Sequence, residues 1–346
     1  MIRMNKTLQR ALLLFTTSWL ATQQAVWATT APAPVNVDNF ARAESDRYLA
    51  AIVKRYGLGR LEHNRQVASI DQQTVIRLNR DTLYSVGVFD LEAGPLTLTL
   101  PDAGKRYLSL QVINEQHYVP AVFYGAGTHR LTRDAMGSRY VAVALRILAN
   151  PADAQDMQRA HALQDAVRVE QAGTGHLELP QWDGESQGKV RSALLALAAL
   201  EPDLNRAFGV QGRVDPVRHL IATASAWGGF PEQDATYLNV TPARNDGSTQ
   251  YRLSVKDVPV DAFWSISVYN EKGYFQPNLQ GAYNLNSVTA QRAEDGSIDV
   301  AFGGCDGKVP NCLPITSGWN YMVRLYQPQP SVLEGSWRFP EAVPVN

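Results

Sequence analysis

Asn79-Arg80-Asp81-Thr82-Leu83-Tyr84 sets five hydrogen-bonding side chains within six residues, at the start of a strand expected over Thr82 to Phe89. That strand is largely apolar, so Arg80 and Asp81 fall at the edge of a core, where an unpaired charge is costly. They need partners or a ligand. As acid–base chemistry, Asp81 would be the general base, Tyr84 or His117 the proton donor, and Arg80 or Arg106 the anion holder, with ester hydrolysis the least demanding reaction. As binding chemistry, Asn79 and Arg80 would hydrogen-bond a small molecule or an envelope polymer while Trp264 or Tyr237 stacks on it, with Tyr269 nearby on the same strand as Trp264. A third reading has no ligand: Asp81 ties a loop to the core of a structural envelope protein. Binding is the reading carried forward, because it requires no activated nucleophile.

The other chemistry-bearing residues are weaker signals. Gly184-Glu185-Ser186-Gln187-Gly188 has the G-x-S-x-G pattern of a nucleophile elbow, and Asp203 or Asp215 with His219 would complete a triad. An elbow requires a buried strand just before the serine, whereas Leu179 to Asp183 holds a proline and polar residues, so Ser186 is read as a helix cap. The six histidines show no metal-ligand spacing, and no metal or cofactor is expected. His117 follows Glu115 and Gln116 in a turn between strands, where loops carry function; the alternative is a surface histidine. Cys305 and Cys312, the only cysteines, bracket a polar loop and are expected to pair as a disulfide.

That pairing requires an oxidising compartment. Arg3, Lys6 and Arg10 precede an apolar run from Ala11 to Ala21, and Val26-Trp27-Ala28 follows with small residues at the cleavage positions, so residues 1–28 are predicted to be a cleaved signal peptide. The run is shorter than the roughly 20 residues a membrane anchor needs. The expected location is periplasmic or secreted. With 32 basic against 33 acidic residues, nucleic acid is excluded as a partner. A chain that is 45% hydrophobic and 19% charged is globular, and 346 residues exceed one ordinary core.

The elements that must position these residues are mostly strands. Asp38 to Tyr56 carries one apolar helical stripe, with Asp38 as its cap. Leu96 to Leu100 alternates strictly, and Tyr107 to Ile113, Tyr118 to Tyr124 and Tyr140 to Leu148 also read as strands. Asn150-Pro151 with Asp153 starts a second helix, and the Ala/Leu-rich stretch Lys189 to Leu200 reads as a buried helix between domains. Strands return at Tyr237 to Thr241, Gln250 to Val255, Phe263 to Tyr269, Ile298 to Phe302 and Trp319 to Tyr326. The expected division is an N-terminal β domain over 36–149, a helical connector over 150–212 and a C-terminal β domain over 213–346.

The motif at Asn79 to Tyr84, with Phe89-Asp90-Leu91, Gly94-Pro95 and Gly104-Lys105-Arg106-Tyr107, resembles a bacterial family known as domain of unknown function 1254. Phe263-Trp264-Ser265-Ile266-Ser267-Val268-Tyr269, Asp295-Gly296-Ser297-Ile298, Arg324-Leu325-Tyr326 and Gly335-Ser336-Trp337 resemble its companion, domain of unknown function 1214. Together the resemblances span nearly all of the chain beyond the leader. They imply a mainly β protein, two jelly-roll-like antiparallel β-sandwich domains joined by helices, and no agreed activity. The chain departs from the pattern at Asn311-Cys312-Leu313-Pro314, where a tryptophan is expected in place of Cys312.

Overall fold

The computed structural model describes residues 31–73, 75–200 and 203–345, so the leader expected over residues 1–28 lies outside the described residues. The N-terminal half supplies β1 (Glu62–His63), β2 (Thr82–Asp90), β3 (Leu96–Leu100), β4 (Leu108–Asn114), β5 (Ala121–Tyr124), β6 (Gly127–Leu131), β7 (Tyr140–Leu148) and β8 (Arg168–Glu170). A five-stranded sheet in the order β1-β2-β7-β4-β5 stacks on a three-stranded sheet, β6-β3-β8. Leu83, Phe89, Leu98, Leu110, Val143 and Leu145 fill the space between them.

The C-terminal half supplies β9 (Ala235–Val240), β10 (Tyr251–Val255), β11 (Trp264–Tyr269), β12 (Asn284–Asn286), β13 (Ile298–Phe302), β14 (Cys312–Leu313), β15 (Asn320–Tyr326) and β16 (Val343–Pro344). They form sheets β12-β11-β15-β9 and β14-β13-β10-β16, antiparallel except for the short β13–β14 pair. Trp264, Ile266, Val300, Trp319, Val323 and Leu325 make this core. The molecule is thus mainly β, with two sandwiches. Cys305 and Cys312 are bonded, fastening β14 to the loop that precedes it.

Helices are α1 (Phe40–Tyr56), α2 (Arg133–Met136), α3 (Ala154–Asp165), α4 (Gly184–Ala198), α5 (Pro216–Ser225) and α6 (Pro330–Leu333). Several expectations change here. The N-cap of α1 is Asn39 rather than Asp38. The N-cap of α4 is Asp183, which accepts the Ser186 N–H; the Ser186 hydroxyl takes the Val35 N–H at 2.8 Å, so neither nucleophile nor cap describes it. The connector is not wholly helical, since β8 pairs with β3 and completes the N-terminal sandwich. Nor is α4 buried between domains: Leu194 packs against Phe40 and Ile221, but Leu195 and Leu197 are 40% and 49% exposed. Among the described residues no helix is long and apolar enough to cross a membrane.

Strand periodicity decides what joins the halves. Successive side chains point to opposite faces, so β2, β4 and β7 send Leu83, Leu110, Val143 and Leu145 inward and Tyr84, Ser109, Gln111 and Arg146 outward. On β11 and β15 the inward set is Trp264, Ile266, Val323 and Leu325, and the outward set is Ser265, Ser267 and Arg324. Such alternation ordinarily marks a sheet with one solvated face. Here the two polar faces cover each other: Ser109, Gln111, Ser265 and Ser267 are all buried, as are Arg146 and Arg324.

Candidate functional site

The register lines up two polar rows. Across the N-terminal sheet, Tyr84, Arg146, Ser109 and Tyr124 are cross-strand neighbours on β2, β7, β4 and β5. Across the C-terminal sheet, Asn286, Ser265, Arg324 and Tyr237 are neighbours on β12, β11, β15 and β9. Residues 77–82 run between the rows and bond to both. The Asn79 amide donates to Tyr84 OH at 3.0 Å and to Tyr326 OH at 3.1 Å, joining the two sandwiches through one side chain. Its Oδ1 accepts the Asp81 N–H at 2.9 Å, the local turn that Asn and Asp side chains favour. Arg324 donates to Ser267 Oγ (2.9 Å), Tyr269 OH (2.8 Å) and the Arg77 carbonyl (2.7 Å), and Tyr269 OH donates to the Leu78 carbonyl at 2.8 Å.

Asp81 is 1% exposed, and its Oδ1 accepts from Asn284 at 2.8 Å. Burial pushes its carboxyl above the usual range against the pull of Arg324 and the facing Ser265, Asn284 and Asn286. Ser265 Oγ and Asp81 Oδ2 both stop short of a hydrogen bond. Tyr107 OH and Ser109 Oγ, on the other side, approach each other in the same loose way without a hydrogen bond of full geometry. Burial alone would raise the Tyr84 phenol, but Arg146, and then Asn79, outweigh it and the net shift is downward. Tyr237, half-buried beside Arg324, has its phenol raised by burial.

Arg146 is buried in the first row, where it hydrogen-bonds the Tyr84 phenol. Its guanidinium lies 4.1 Å from the Phe230 ring centroid and 5.1 Å from that of Tyr84, and it donates to Gln111 Oε1 (2.8 Å) and the Gly228 carbonyl (3.2 Å). No described carboxylate pairs with it. Neither Arg146 nor Arg324 is among the site residues read from the sequence, although a readable signal existed: Arg146 is the one charged residue in the apolar strand β7, and Arg324 the one charged residue in β15.

Of the residues expected to act together, Asn79, Asp81, Tyr84, Tyr237 and Tyr269 converge on this layer, and four others do not. Arg80 turns away to bond the Ala68 carbonyl and lie over the Tyr283 ring, 5.3 Å from its centroid. Arg106 is neutralised by Asp156, whose carboxyl the pair holds well below its usual range, and it also donates to the Leu148 carbonyl at 2.6 Å. Trp264 belongs to the C-terminal core, edge-on to Phe339; its strand neighbour Phe263 instead faces the layer against Tyr107 and Tyr326. His117 lies beyond the far end of β4, about 20 Å of strand from Tyr107. It is fully buried rather than a surface residue, in a left-handed turn (φ 66°), between Trp227 and His219. Its Nε2 accepts the Gly228 N–H at 2.9 Å, so Nδ1 carries the proton and donates to Thr223 Oγ1 at 2.8 Å. His219, the proposed triad base, faces the Ala207 and Gln116 carbonyls instead.

Among the clefts formed by the described residues, two are roomy. The larger, about 790 Å³, is lined by Arg42, Glu115, Arg139, Tyr140 and Glu178, but its charges pair with one another: Arg139 with Asp90, Glu92 and Glu178, and Arg42 with Glu115. The smaller, about 420 Å³, is walled by Val122, Phe208, Gly209, Pro231 and Asp234. It meets the layer edge, because Asp234 Oδ1 accepts from Tyr124 OH at 2.8 Å and Val122 packs with Tyr107 and Phe230. Among the described residues no cluster of His, Cys, Asp and Glu has the makings of a metal site.

The family profile of Protein of unknown function (DUF1254) matches residues 58–129, and that of Protein of unknown function (DUF1214) matches residues 236–330. The chain thus carries one segment similar to each of these two families. The matched segments leave 130–235 between them, a narrower reach than the motifs implied. Asn79, Asp81 and Tyr84 come from the DUF1254 segment and Tyr237, Tyr269 and Arg324 from the DUF1214 segment, so the layer is built by both; Arg146 lies between them. No curated protein matches the chain. Among solved structures, it is similar to the VPA0106 protein of Vibrio parahaemolyticus, at 17% identity over 90% of this chain and 98% of that one, with a TM-score of 0.69. An uncharacterized protein from Burkholderia cenocepacia is similar at 13% identity, 90% and 91% coverage and a TM-score of 0.50. These likenesses concern the fold.

Proposed function

We propose that this is an exported protein that binds a small polar molecule between its two sandwiches. The observation carrying this reading is that four polar atoms buried in one layer, Asp81 Oδ2, Ser265 Oγ, Ser109 Oγ and Tyr107 OH, make no hydrogen bond of full geometry, only loose approaches within the pairs Asp81–Ser265 and Tyr107–Ser109. Buried polar groups are nearly always paired, and orphaned ones concentrate where a water or ligand completes them. Ester hydrolysis is the weaker reading, because His117, one of its two candidate donors, is engaged at both nitrogens far from Asp81, which leaves only Tyr84.

Ser109→Ala and Tyr107→Phe test the proposal directly. Each deletes a hydroxyl that is only loosely approached in the free protein, so neither should cost more than about 1 kcal/mol of stability. Thermal melting of the wild type against a diverse panel of small metabolites and saccharides should find compounds that stabilise it, with smaller shifts in both variants. A panel that stabilises nothing, or shifts identical in all three proteins, would discard the interdomain layer as a binding site.

A further inference from the structure

We infer that the ligand of this layer is a small organic carboxylate with an apolar or aromatic body, seated on Arg146; the inference rests on the binding reading above and names its chemical class. A guanidinium carries five N–H donors in a planar fork suited to a two-oxygen anion. Arg146 directs two of them toward Gln111 and Gly228 and also hydrogen-bonds the Tyr84 phenol, and no described carboxylate takes the rest of the fork. It is 7% exposed, so water does not replace the missing acceptors at little cost. Its counter-charge is also missing. Asp81, the one carboxylate between the rows, is committed to Asn284 and faces Arg324, and Asp234 at the edge takes the Tyr124 hydroxyl. A bidentate carboxylate would supply both acceptors and charge.

The surroundings set the rest of the molecule. Tyr107, Phe230, Phe263, Tyr326 and Leu148 pack around this part of the layer, and Val122, Tyr124 and Tyr237 border it, so the ligand's body meets aromatic rings. Ser109 Oγ and Tyr107 OH, only loosely paired with each other on the same face as Arg146, are placed to bond the second oxygen or a ring substituent. The 420 Å³ cleft gives the approach, with Arg206 and Arg213 on its rim. Both are exposed and form no ion pair among the described residues, while Glu232 on the same wall accepts the Arg206 backbone N–H. Exposed cations around a cleft that meets the layer edge would draw anions toward it.

The test uses matched pairs that differ only in charge: benzoate and benzamide, phenylacetate and phenylacetamide, hexanoate and hexanamide. Calorimetric titration of the full chain should show a carboxylate binding at least about ten-fold more tightly than its amide, the scale expected for a charge-assisted bond. Arg146→Gln should abolish that preference and Arg146→Lys should keep part of it. Arg206→Gln with Arg213→Gln should slow association, and added salt should do the same to the wild type, with dissociation little changed. Because Arg146 variants could fold poorly, the paired ligands and salt series on the wild type stand alone. Equal affinity for carboxylates and amides, or binding only of uncharged compounds, would overturn the carboxylate assignment and leave the binding site standing. A folded Arg146→Gln protein that keeps the preference would overturn the role of Arg146. If no compound of any class binds, both this inference and the binding proposal fall.

Discussion

The Nε2 atom of His117 receives the Gly228 N–H, and the Gly228 carbonyl in turn receives Arg146, so the imidazole acts on the layer through a loop rather than by proton transfer. A second proton on that ring would point at the amide it now accepts from. Burial, and then the neighbouring His219, hold the imidazole well below its ordinary value of about 6.5. The folded state therefore binds fewer protons than the unfolded state once pH drops below that ordinary value, and stability declines as pH falls. The decline from this residue can reach about 1.4 kcal/mol per pH unit. Urea unfolding between pH 8 and pH 5 should record it, and His117→Gln should flatten the slope. Asp81 has the opposite sign: its folded value is raised, so its charged form loses stability as pH rises through that value. Asp81→Ala strands the Asn284 amide and should cost about 1–3 kcal/mol at pH 7. Asp81→Asn should cost less and gain on the wild type as pH rises, which denaturation of the three proteins at pH 4 and pH 7 would reveal.

At the scale of elements, α4 has two unlike faces. Leu194 is buried against α1 and α5, while Leu197 is 49% exposed. Leu194→Ala should therefore cost about 2–5 kcal/mol, and Leu197→Gln should stay within about 0.5 kcal/mol. Equal losses in thermal melting would mean that the outer face is covered in solution. The Ala/Leu content of this segment pointed to burial because composition carries no direction; only the packing of α1 and α5 on one side decides which leucines are inside. Strands were far more legible. Leu96 to Leu100 and Tyr140 to Leu148 have the bounds that alternation implied, whereas two-residue strands such as β1 and β14 are too short to show any period. The site was legible at Asn79, Asp81 and Tyr84, where polar groups crowd within one loop and the strand it opens. It was not legible at Ser109, Gln111, Ser265 or Ser267, since a polar residue at every second position looks the same whether it meets water or another polar sheet.

The whole molecule is held as one body by that shared face. Asn79 bonds to hydroxyls of both sandwiches, Asp81 bonds to Asn284, and Tyr107 of the first sandwich packs edge-on to Phe263 of the second. Separate unfolding would expose Arg146 and Arg324 together with aromatic surface, so the halves should melt together: one calorimetric transition, with its enthalpy matching the van't Hoff value. Two resolved transitions would contradict this coupling. A consequence reaches beyond one molecule to lineage. A recombination breakpoint between the end of β8 at Glu170 and the start of β9 at Ala235 would hand each descendant gene half of a tyrosine-and-arginine face that has no mate. Neither product would inherit a surface fit for water or a complete pocket, so selection should pass the two segments on as a single heritable unit.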